Sequence, residues 1–243
     1  MPAPGGSLTV VGTGIEVTSH LSPGARAVIE GADVVLYLLA DPVSALRVEG
    51  LNATARSLDS HYGPEKDRRL TYRAIVEEIV SEVLGGANVC VVLYGHPGLY
   101  AVPGHESIRR VREQGLAARM LPAVSSLDCL YADLGIDPGP HGLQAYEATY
   151  FFELRPPVDP RATLVLLQVG MLGERGGAAT PAVADRFPLL VELLRRHYGD
   201  GREGVLYEAS PYPGVRPSIV RFRLDDRELP TPAVLATLCL TTP

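Results

Sequence analysis

The strongest constraint on this chain is a set of short apolar runs that scarcely alternate with polar residues. They are residues 7–15 (SLTVVGTGI), 33–39 (DVVLYLL) and 88–93 (NVCVVL). A strand with one face in water alternates apolar and polar side chains. A strand without alternation must be covered on both faces, as in a parallel sheet with helices on either side. Helical stretches separate these runs. Ser22 followed by Pro23 makes a helix start, the serine capping and the proline in the first helical position. In residues 68–84, Leu70, Ala74, Ile75, Ile79 and Val83 recur at helical spacing, and Gly85-Gly86 ends the pattern. Residues 105–114 read as a helix and 118–121 as a short strand, while Asp41-Pro42 reads as the stop of the second strand.

After Pro122 the pattern changes. Residues 125–134 suggest a helix, 135–140 (GIDPGP) a loop, and 143–146 and 163–169 two strands. A helix over 181–198 precedes three further strands at 204–207, 219–224 and 234–240. Strands at this density around one long helix predict a mixed sheet. The expected fold class is therefore α/β in two domains. Residues 1–122 carry a parallel sheet and 123–243 a mixed one, with the junction at Leu121-Pro122-Ala123.

A net charge of −6 over 243 residues provides no general attraction for nucleic acid or an anionic membrane. No apolar run is long enough to span a bilayer, and the first residues (MPAPGG) do not form a signal peptide. Cys90, Cys129 and Cys239 are too far apart for a metal or disulfide pattern, and Cys90 and Cys239 read as buried thiols of a cytoplasmic protein. No metal is expected, because the histidines have no partner at ligand spacing.

Three motifs remain. Gly12-Thr13-Gly14 resembles a dinucleotide loop but has Val17 where that fingerprint needs a third glycine, so a turn is the better reading. Tyr94-Gly95-His96-Pro97-Gly98 follows a parallel strand directly, where open α/β sheets bind ligands. On position alone it reads equally as a binding loop or as a packed turn, with His96 satisfying its own backbone. Arg68 and Tyr72 are four apart at a helix start and so share a face, with Tyr62 just before. By spacing alone they read as a solvated helix start, and the pairs Glu77-Glu78 and Asp225-Asp226 as solvated faces.

In order, SLTVVGTGI, LSPGARAVIEGADVVLY, YGHPGLY, ARMLPAVSSLDCLYADLGIDP and TLVLLQVG resemble the tetrapyrrole-methylase superfamily across nearly the whole chain. Within it they are most similar to borosin-type α-N-methyltransferases, which methylate backbone amides of a ribosomally made peptide. The resemblance implies a homodimer of two-domain subunits, with S-adenosylmethionine bound in the cleft between the domains. It assigns Tyr94, His96, Leu99, Ser125, Gln168, Ala209, Ala236 and Thr237 to the cofactor, and Tyr62, Arg68 and Tyr72 to catalysis. Two departures stand out. The fungal enzymes have a further tyrosine where this chain has Asp59, and they continue into a clasp and their own substrate peptide. The present sequence closes with Thr241-Thr242-Pro243 after its last expected strand, so the resemblance implies the split arrangement, with a separate precursor peptide. The chemistry then expected is removal of an amide proton, with Arg68 stabilising the carbonyl oxygen and the two phenols handling the proton. Methylation of a tetrapyrrole or other small molecule is the rival reading, and a non-catalytic scaffold of the same fold a second.

Overall fold

The computed structural model describes residues 5–63, 66–174 and 182–241. Two compact units form, one from residues 1–129 with 211–215 and the other from 130–210 with 216–243.

In the first unit the order is β1 (Ser7–Gly12), α1 (Val17–His20), α2 (Pro23–Gly31), β2 (Val34–Leu38), α3 (Pro42–Glu49), β3 (Arg56–Ser57), α4 (Arg68–Leu84), β4 (Asn88–Leu93), α5 (Val102–Glu113) and β5 (Ala117–Met120). The strands pair in the order β3-β2-β4-β1-β5, all parallel. Successive residues of each strand point to opposite faces, and both faces are covered. Leu8, Val10, Leu36, Val89 and Val91 meet Ile75, Ile79 and Val83 of α4 and Ile108 and Val111 of α5. Val11, Val35, Tyr37, Cys90 and Val92 meet Ala25 and Ile29 of α2 and Val48 of α3. Burying each such aliphatic side chain contributes about 1.5–3 kcal/mol, which is why the runs do not alternate.

Ser22 caps α2, its Oγ accepting from the Ala25 amide at 3.1 Å, with Pro23 in the first turn as expected. β2 ends before Asp41-Pro42, and the same two residues also start a helix that sequence reading did not place, because Asp41 Oδ1 accepts from the Ser44 amide at 2.9 Å and proline again opens the first turn.

The second unit continues through α6 (Ser126–Leu134), whose later turns belong to it, β6 (Leu143–Glu147), α7 (Ala148–Leu154), β7 (Thr163–Leu167), α8 (Ala182–Tyr198), β8 (Glu203–Glu208), β9 (Ser218–Arg223) and β10 (Thr237–Leu240). The order is β6-β7-β10-β8-β9. β6 runs parallel to β7 and the other pairs are antiparallel, so the sheet is mixed, as expected. Leu164, Leu166, Leu206 and Leu238 pack on Phe151 of α7 and on Phe187, Leu190 and Leu194 of α8. On the opposite face the Tyr207 hydroxyl meets the Asp133 carboxylate of α6 at 2.6 Å. Helix α7 escapes the sequence pattern because it follows β6 without a break. Glu147 caps it by accepting from the Tyr150 amide at 2.7 Å. Pro181, the expected start of α8, lies outside the described residues, as do Thr242 and Pro243.

Candidate functional site

In the first sheet β1 and β4 are neighbours, but the chain leaves them in opposite directions. After β1 it crosses toward β2, and after β4 toward β5 on the other side. This is the switch point at which open α/β sheets leave a crevice beyond the strand ends. The loops there are tied together. The Gly95 amide donates to the Gly14 carbonyl at 3.0 Å, and the Gly14 amide donates to the Gly95 carbonyl at 3.3 Å. Both glycines have positive φ, 70° and 66°. A Cβ on Gly12 would come within 2.1 Å of the Gly95 oxygen. Gly12 thus closes β1 and Gly14 bridges to Gly95, where a turn was expected, and both glycines are required because the second loop packs against them.

Tyr94, His96 and Leu99 are half-buried on that second loop. The Tyr94 amide donates to Leu38 at the end of β2, at 3.0 Å. His96 Nδ1 accepts from the Gly98 amide at 3.0 Å, which puts the proton of a neutral ring on Nε2. His105 of α5 pins the loop from outside, its Nε2 donating to the Gly98 carbonyl at 2.9 Å. Ser125 is buried and caps α6 reciprocally. Its amide and Oγ each donate to Asp128 Oδ2 at 2.6 Å, and the Asp128 amide donates back to Oγ at 3.3 Å. Burial would raise the Asp128 carboxyl, but the Ser125 bonds and the nearby His96 hold it below the usual carboxylate range. His96 and the Ser125 cap therefore share one electrostatic neighbourhood.

Tyr62 follows a 3-10 turn, Asp59–His61, and packs with Tyr72 on the same hydrophobic cluster as Leu93, the residue before Tyr94. Burial pushes the Tyr62 phenol well above its ordinary range. The Tyr72 phenol and the Asp59 carboxylate push the same way, and the Arg68 guanidinium opposes them. Tyr62 and Tyr72 thus share that hydrophobic cluster, where spacing alone suggested a solvated helix start. Among the described residues Arg68 forms no ion pair, unlike Arg56, Arg109 and Arg110 nearby.

The remaining four residues stand at one end of the second sheet. Gln168 follows β7, Ala209 follows β8, Ala236 precedes β10 and Thr237 begins it, and β10 runs antiparallel to both other strands. The Val169 amide donates to the Ala236 carbonyl at 3.0 Å. Gln168 is exposed with φ 59°, a left-handed conformation uncommon outside glycine and found at functional sites.

Sequence reading missed His61, Glu78, His105 and Asp128. Only Asp128 had a local signal, a serine followed three residues later by an acid. Glu78 is no idle solvated carboxylate, because it pairs with both His61 and Arg56. Cys90 and Cys239 are buried free thiols as read, and burial raises both to about 12. Among the described residues no helix is long and apolar enough to cross a membrane, and no cluster of three metal-ligating side chains occurs.

Paired loops at a switch point of a parallel sheet, with a second mixed sheet following, define an α/β fold of two sheets. Residues 7–214 match the model of the Tetrapyrrole (Corrin/Porphyrin) Methylases, and the chain belongs to that family. A methyltransferase/ribosomally synthesized type I borosin cyclic peptide precursor from Coprinopsis marcescibilis is 38% identical over 226 residues, 92% of this chain and 58% of that protein. The corresponding omphalotin A precursor from Omphalotus olearius is 39% identical over 208 residues, 86% of this chain and 50% of that one. The chain thus spans about half the length of the curated relatives it matches. Uroporphyrin-III-C-methyltransferase from Thermus thermophilus superimposes with TM-score 0.67 at 22% identity, covering 98% of this chain and 92% of that one, a likeness of fold.

Proposed function

We propose that the chain is an S-adenosylmethionine-dependent α-N-methyltransferase acting on backbone amides of a peptide supplied by a separate polypeptide. Tyr94, His96, Leu99, Ser125, Gln168, Ala209, Ala236 and Thr237 are the residues that would hold the cofactor. The donor set fits such a group. It contains no lysine or arginine to match a phosphate, and its side chains offer hydroxyl, amide and imidazole contacts or an apolar edge. When bound, the cofactor supplies an electrophilic methyl group.

The observation that carries the reading is that Tyr62 and Tyr72 pack on one hydrophobic cluster, with Arg68 at the head of the helix that bears Tyr72, in a chain 36–39% identical to relatives whose names join methyltransferase with cyclic peptide precursor. An amide nitrogen is a poor nucleophile because its lone pair is shared with the carbonyl. Losing the N–H proton places negative charge on the carbonyl oxygen. Arg68, with no ion-pair partner among the described residues, stabilises that oxygen. Tyr62, which burial keeps protonated, donates a hydrogen bond to it. Tyr72 relays the proton, taking it at the phenol oxygen as its own hydroxyl proton passes to solvent. The bound cofactor would supply the methyl group to that nitrogen, and the protein's part is to hold the amide in place against it.

The test is Tyr72→Phe. Peptide methylation should fall by roughly 100-fold or more, with S-adenosylhomocysteine binding retained. Undiminished turnover in that variant would overturn the mechanism.

A further inference from the structure

Tyr62 is the one member of the cluster that no helix carries. It lies in coil after Asp59–His61, whereas Arg68 and Tyr72 ride on the first turns of α4. A tyrosine on such a segment is placed only as well as its backbone is held. Displacement of a reacting group by about 1 Å costs on the order of 100-fold in rate.

Four tethers converge on the residue before it. His61 Nε2 meets Glu78 Oε2 at 2.6 Å. The His61 carbonyl, which belongs to the peptide bond with Tyr62, accepts from Lys66 Nζ at 2.8 Å and from the buried Thr71 Oγ1 at 3.3 Å. The amide of that same peptide bond donates to the Asp59 carbonyl at 2.9 Å. Glu78 is itself held, since Oε1 accepts from Arg56 Nη2 at 3.1 Å while Arg56 reaches Glu82 at 2.6 Å. Thr71 and Glu78 sit on the helix that carries Arg68 and Tyr72, so one rigid element sets both sides of the cluster. An exposed ion pair of this type adds little stability. A half-buried one gripping a single peptide unit fixes position.

We propose that His61, clamped by Glu78, is a positioning residue for methyl transfer, fixing the Tyr62 backbone so that its phenol faces Arg68 and Tyr72. This rests on the reading in which those three residues do the chemistry.

The test compares His61→Ala with His61→Gln, whose amide can reach Glu78 as Nε2 does. In His61→Ala, kcat for peptide methylation should fall about 10- to 100-fold, with KM and S-adenosylhomocysteine affinity within about twofold of the unaltered chain. His61→Gln should recover most of the loss. NMR of the chain labelled at tyrosine Cζ, with the Tyr62 signal identified by Tyr62→Phe, reads placement without turnover. That signal should move in His61→Ala, return in His61→Gln, and leave the other tyrosines in place. A Tyr62 signal unmoved in His61→Ala overturns the proposal, and so does a uniform shift of all tyrosine signals, which would mean general loosening. If the unaltered chain methylates no peptide, the functional reading fails, while the NMR comparison still decides whether His61 positions Tyr62.

Discussion

Gly14 and Gly95 exchange both of their backbone hydrogen bonds, at 3.0 and 3.3 Å, and so lock the loop after β1 to the loop after β4. An isolated bridge of this kind, outside any ladder, makes the second loop's shape depend on a strand some eighty residues earlier. Gly12 lies inside the same contact.

Gly12→Ala should therefore act at a distance. Its Cβ would lie 2.1 Å from the Gly95 oxygen, 2.7 Å from Pro97 Cδ and 2.8 Å from Ala123 Cβ. Such overpacking against backbone costs roughly 1–3 kcal/mol, and S-adenosylhomocysteine affinity should fall as the loop shifts. Gly24→Ala is the control, with nothing within 4 Å of the added atom. In helix α2 that change should stabilise by about 0.4–1 kcal/mol. Calorimetric melts and titrations check both.

Gln168 separates stability from binding. A non-glycine residue in the left-handed region costs about 1–2 kcal/mol, and Gln168 holds φ 59° at the end of β7. Gln168→Gly should leave stability within about 1 kcal/mol while weakening S-adenosylhomocysteine binding. Gln168→Val should destabilise by about 1–2 kcal/mol or more, because a branched Cβ fits that conformation worst. Denaturant unfolding distinguishes the two.

Three tyrosines predict an alkaline limit to the fold. The Tyr37 phenol is pushed to about 12, first by its bond to Glu49 and then by burial. Burial carries Tyr198 to about 12 as well, and Tyr62 upward. An unfolded tyrosine titrates near 10. The unfolded chain thus loses these protons first, and the contribution is complete below pH 10 and lost as pH rises toward 12. Melting temperature should fall over that window, and Tyr37→Phe combined with Tyr198→Phe should flatten the fall.

Ser107 on α5 is fully buried, and among the described residues its Oγ has no hydrogen-bond partner. Ser107→Ala removes that unmet hydroxyl and improves helix propensity. It should stabilise by about 0.5–1.5 kcal/mol, read from the denaturant midpoint.

The parallel sheet was legible because burial on both faces imposes continuous apolar runs, and both faces of β4 are indeed filled. Helix α3 went unread for a physical reason. An aspartate before a proline ends a strand and caps a helix with the same two residues, and only the Ser44 amide distinguishes them. The loop from Tyr94 to Gly98 was legible from its place after an apolar strand. The bond between Gly14 and Gly95 was not, because nothing local announces a partner so far away in sequence. The same holds for His61 with Glu78, seventeen residues apart and joined only when α4 docks.

Methyl transfer to backbone amides of a peptide is the central claim. Its most direct test is co-expression of the chain with a candidate precursor peptide, followed by intact and tandem mass spectrometry. Mass steps of one CH2 each are predicted, located on backbone nitrogens and absent with Tyr72→Phe. A peptide left unmodified while the same preparation methylates a tetrapyrrole or another small molecule would contradict it.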